Sequence, residues 1–142
     1  MIDSAGGVSV GVAVSRARAN LEAMRARALT TIDAEIDALE AVPAPTGPQD
    51  VPARLDQAYR TATAVIDAAG PFELNDLCRA AAGLCDLIGA VDPGEAFDWR
   101  VVTVHARSLR LLQTLPAAAE EDRSRVLRSL GEVVARKLTQ AG

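Results

Sequence analysis

Between Leu74 and Val91 the residues Leu74, Leu77, Cys78, Ala81, Leu84, Cys85, Ile88 and Val91 recur at steps of three and four. That spacing marks one face of an α-helix, and so long an apolar stripe has to be covered by other helices. The rest of the chain repeats the pattern. Leu21, Met24, Ala28, Ile32, Ile36 and Leu39 form a stripe within a helix expected from Ser15, its N-cap, to about Val42. Leu55, Ala58, Ala62, Val65 and Ala69 form another in a helix from Ala53 to Ala69. Val101, Val102, Leu109 and Leu112 point inward from a helix running from Trp99 to about Leu115, with Arg100, Arg107 and Arg110 outward. Val126, Leu127, Leu130, Val133, Val134 and Leu138 make the apolar face of the last helix, whose Glu120, Glu121 and Asp122 start and Arg136 and Lys137 end suit its dipole.

Breaks fall where glycine and proline cluster. "PAPTGPQDVP", residues 43–52, is a Pro-rich loop; Gly70-Pro71 separates the second and third helices, with Pro71 expected at a first helical position; "DPGE", residues 92–95, makes a turn; Pro116 ends the fourth helix. The expected fold is therefore all-α, an antiparallel helical bundle of four to five helices. Residues 15–142 are expected to form a single bundle domain, a size and a 49% hydrophobic content that suffice for one core. In residues 1–14 valines at 8, 10, 12 and 14 alternate like a strand with no partner, among Gly6, Gly7 and Gly11; a flexible or late-ordering N-terminal arm is the expectation, with a helix start as early as Ser9 as the alternative to Ser15.

A net charge of −4 lacks the basic surplus a general nucleic-acid binder needs, so protein partners are expected and nucleic acid is not. No apolar run approaches the roughly 18 residues of a membrane span, and the first residues lack a basic secretory n-region; the expectation is a cytoplasmic protein without a membrane partner. Cys78 and Cys85, about 10 Å apart along one helix, are too distant to bond each other and read as buried thiols. One histidine and no Cys/His grouping point to no metal and no cofactor. No nucleophile elbow or phosphate loop is present, so no catalysis is expected.

The stretch "AVIDAAGPFELNDLCRAAAGLCDLI" resembles the second and third helices of histidine phosphotransfer (Hpt) domains, in which a helix carries His-x-x-Lys-Gly. Gly70 matches the motif's glycine, Ile66 stands where the phosphorylated histidine would be, and Ala69 stands at the lysine. Pro71 replaces a helix-continuing residue, and the run to "FELNDL" is shorter than the family's. From Ala17 to Lys137 the chain is similar to small Hpt-like proteins of bacterial chemotaxis gene clusters (CheE-type). The resemblance implies a degenerate Hpt-like bundle: a non-catalytic binding or regulatory module that docks the receiver domain of a response regulator in chemotaxis or two-component signalling.

On the second helix Ile66 falls about 50° from the core direction, beside Tyr59 one heptad earlier. The two residues, extended by Phe72 and flanked by Arg60 and Asp67, form a candidate docking patch. The plainer alternative is that they are ordinary core-edge residues. His105 lies near the apolar face of the fourth helix; it is either a hydrogen-bonded core-edge imidazole or a displaced phosphoacceptor, in which case the chain is an active phosphotransfer protein. A structural, self-associating helical protein is the third reading.

The first helix is charged against its own dipole, with Arg16, Arg18, Arg25 and Arg27 early and Asp33, Glu35, Asp37 and Glu40 late. Two copies packed antiparallel would set basic half against acidic half, giving a homodimer through this helix. Alternatively these charges face water, where each pair contributes about 0–1 kcal/mol.

Overall fold

A computed structural model describes the backbone of residues 2–141 and the side chains of residues 9–139. Five α-helices are present: α1 (Ile2–Ala41), α2 (Val51–Ala69), α3 (Asn75–Gly89), α4 (Arg100–Thr114) and α5 (Glu120–Ala141), and the described residues contain no strand. Short 3-10 turns at Pro48–Asp50 and Gly70–Phe72 precede and follow α2. Among the described residues no helix is long and apolar enough to cross a membrane.

Helices α1 to α4 close a ring in which α1 packs on α2 and α4, α2 on α3, and α3 on α4; α5 lies across α3 and α4. Neighbours in the ring run antiparallel. Cys85 reaches Thr63 while Cys78 reaches the Ile66 carbonyl, and Gln113 meets Asp33 while Arg110 meets Glu40. The centre is aliphatic and small: Ile32, Ile36 and Leu39 from α1, Ala58, Ala62, Val65 and Ala69 from α2, Ala81 and Leu84 from α3, Val102 and Leu109 from α4. Alanines along α2 let its neighbours approach closely, and burial of the large aliphatics supplies the drive, about 1.5–3 kcal/mol for each fully buried side chain.

Helix α2 buries the five residues expected of it. Helix α1 departs from expectation in two ways. Residues 2–14 continue the helix instead of forming a separate arm, and Ser15 is a mid-helix residue. The valine alternation fails as a strand signal because no neighbouring strand exists to take its backbone hydrogen bonds, whereas a helix satisfies them within the segment. Burial begins only at Ala28: every described side chain from Ser9 to Arg27 is exposed, including Leu21 and Met24, which were expected inside.

Helix α3 starts at Asn75 and not at Pro71, which sits in the 3-10 turn. Glu73 follows with a left-handed φ of 57°, and the Leu74 N–H donates to the Ala69 carbonyl at 3.2 Å. The turn therefore caps α2 before α3 begins. Cys78 and Cys85, expected as buried, are half-buried, and burial pushes both thiols above their ordinary pKa.

The charge order of α1 has an explanation inside the chain. Arg110 of α4, read from the sequence as facing water, is half-buried and gathers three carboxylates of α1: its guanidinium meets Asp33, Asp37 and Glu40, the last at 2.8 Å. Asp33, Asp37 and Glu40, three of the four acidic residues in this half of α1, are thus paired with α4.

Candidate functional site

A concavity of about 790 Å³ opens where the 44–52 loop and the first turns of α2 face the segment that joins α3 to α4. Its floor is apolar, built from Pro45, Leu55, Tyr59, Ile88, Phe97 and Trp99, and Asp56, Asp92 and Glu95 stand among its lining. Both sides are held by local chemistry. The loop side is closed by Asp50, whose carboxylate accepts from the Thr46 N–H at 3.3 Å and from the Thr46 hydroxyl, and these bonds hold the Asp50 carboxyl below its usual pKa. The opposite side turns at Asp92-Pro93-Gly94-Glu95. The Glu95 N–H donates to the Asp92 carbonyl at 3.0 Å, and Gly94 at φ +82° takes the left-handed position that proline before it and glycine in it favour.

Phe97 and Trp99 follow as an edge-to-face pair with centroids 6.4 Å apart. Asp98 between them anchors the start of α4: its carboxylate accepts from the Arg100 N–H at 3.1 Å and Nε at 3.0 Å, and from Lys137 of α5 at 3.1 Å. The Arg100 bonds hold the Asp98 carboxyl far below the usual carboxylate range. A rigid aromatic wall beside a proline-stiffened loop suits the seating of apolar side chains or an apolar ligand.

The expected patch is divided. Tyr59, 44% exposed, lines the concavity, and Arg60 next to it is exposed and paired with Asp56 at 3.0 Å. Ile66 and Phe72 are half-buried and lie outside this lining; Ile66 packs against the core, and Asp67 is exposed. Pro45, Phe97 and Trp99 were missed as site residues. Their signal was the pairing of a proline-rich loop with the only Trp of a chain that is 3% aromatic.

His105 is not at the core edge. It is fully buried, its Nδ1 is 2.8 Å from the Val101 carbonyl and so donates to it, and Nε2 is buried with no hydrogen-bond partner. Burial lowers its pKa, favouring the neutral ring, against a smaller opposing pull from the Val101 carbonyl. The imidazole has no route to a phosphoryl donor in this conformation, which counts against its use as a phosphoacceptor.

No family model, no curated protein and no solved structure matches the chain.

Proposed function

We propose that this chain is a non-catalytic, Hpt-like binding module of the cytoplasm that docks a response-regulator receiver domain in chemotaxis or another two-component pathway. One observation carries the non-catalytic part: the position that aligns with the Hpt phosphoacceptor is an isoleucine, and the sole histidine is sealed in the core. An alkane side chain cannot form a phosphoramidate, and a buried imidazole cannot meet an aspartyl phosphate. The binding part is supported by the apolar concavity beside Tyr59, whose aromatic and proline residues have little conformational freedom to lose on binding.

Titration calorimetry with purified receiver domains of the same genome tests the reading. Binding by one receiver, weakened at least roughly tenfold by Tyr59→Ala, is the expected result. Labelled phosphate moving from a phosphorylated receiver to this chain, and abolished by His105→Gln, would replace the reading with active phosphotransfer.

A further inference from the structure

The exposed half of α1 carries a seam that the bundle does not use. Val10, Val14, Ala17, Leu21 and Met24 follow one another at alternating steps of four and three, and the next step reaches Ala28, the first buried residue. The stripe that packs α1 into the bundle therefore runs on past the point where the bundle stops. Val10 is 63% exposed, Val14 45%, Leu21 58% and Met24 48%. The five seam residues fall within an arc of about 80°, which is the width of a helix-to-helix seam and narrower than the face of a membrane-surface helix.

The seam and the buried face of α1 are the same face, so the bundle lies on the seam side of the helix. A second α1 running parallel along the seam would drive its own bundle into the first. Running antiparallel, it sends its bundle to the opposite end. One antiparallel register also fits the side chains: when residues whose numbers add to 31 face each other, Val10 meets Leu21 and Val14 meets Ala17, aliphatic against aliphatic. In that register Arg18 flanks Gly11 of the second copy, and no arginine faces an arginine across the seam.

We infer that two copies of this chain pair through the exposed half of α1, antiparallel, about a two-fold axis between Val14 and Ala17. The pairing gives the first turns of α1 the apolar cover that a helix containing Gly11 and several valines lacks when alone. It differs from a basic-on-acidic dimer, because Asp33, Asp37 and Glu40 stay with Arg110. Each overlapped half carries Arg16, Arg18, Arg25 and Arg27 against Asp3 and Glu22, so salt strengthens this dimer by screening two like-charged arms.

Cysteine cross-linking in a Cys78→Ala/Cys85→Ala background tests the register. Val10→Cys combined with Leu21→Cys gives a disulfide-linked dimer on mild oxidation. Val10→Cys alone gives none, because its own copy lies about 16 Å away along the seam. Sedimentation of the unmodified chain shows a dimer that Leu21→Glu dissociates, with the helical circular dichroism of the bundle retained since Leu21 is exposed and outside the core. The inference is overturned by a monomer across the micromolar range, by cross-linking of Val10→Cys to itself, by dissociation as salt is added, or by binding of the arm to phosphatidylserine vesicles in place of self-association. None of these outcomes depends on whether a receiver domain binds.

Discussion

His105 makes the stability of this protein sensitive to mild acid, and the size of the effect follows from its burial. In the unfolded chain the imidazole takes up a proton near its ordinary pKa of 6.5; in the folded chain that pKa is lowered, chiefly by desolvation. The unfolded state therefore binds more protons below that value, and folding stability is whole above pH 7 and falls as pH drops through 6.5 toward the folded pKa. The slope is at most about 1.4 kcal/mol per pH unit, so the loss between pH 7 and pH 5 is at most about 2 kcal/mol. Because the chain has one histidine, and the carboxylates with lowered pKa, Asp33, Asp50 and Asp98, titrate in a more acidic window, the range from pH 7 to pH 5 reads this residue.

His105→Leu removes the effect. It conserves volume to a first approximation, gives up one hydrogen bond worth about 0.5–1.5 kcal/mol, and removes an unpaired buried nitrogen costing about 1–3 kcal/mol. The variant is expected to equal or exceed the parent by about 1 kcal/mol at pH 7 and to widen that lead at pH 5, to at most about 3 kcal/mol. Urea unfolding followed by circular dichroism at both pH values measures the difference. A parent midpoint that does not move between pH 7 and pH 5, or a variant more than about 2 kcal/mol less stable at pH 7, would refute the account of a neutral, sealed imidazole.

Arg110→Met leaves Asp33, Asp37 and Glu40 beside one another without their cation. It should cost on the order of 1 kcal/mol in low salt and less in high salt, where repulsion among the three is screened; denaturant midpoints at two ionic strengths report this. Ile36→Ala, at a fully buried position of α1, should cost about 2–5 kcal/mol in the same assay, whereas Leu21→Ala in the exposed half should change the unfolding of dilute protein by less than about 0.5 kcal/mol.

The core of α2 was readable residue by residue, because both flanks of its stripe are covered and period alone decides burial there. On α1 the same reasoning placed Leu21 and Met24 inside. Periodicity says which face is apolar but not how far along the helix its neighbours extend, and here they end at Ala28. Arg110 was read as solvated since its partners, seventy or more residues away in sequence, are invisible to local pattern. Tyr59 and Ile66 share one helix face, which made them look like one patch. Tertiary neighbours separate them: the loop and the Phe97–Trp99 pair border Tyr59, and the core takes Ile66. His105 was placed at the rim because its spacing along α4 sets it near the apolar face without saying how deep it lies; α5 and α3 cover that face, and the bond to Val101 offsets part of the cost of burying the ring.

The clasp of Arg110 on α1 also bears on how the protein is made. The last turns of α1 carry Asp37 and Glu40, with no basic residue to offset them, so this end of the helix is frayed by its own electrostatics until a cation arrives. That cation is encoded some seventy residues downstream. During synthesis α1 can pack on α2 as soon as α2 emerges, but the charges at its last turns stay without their cation until α4 follows.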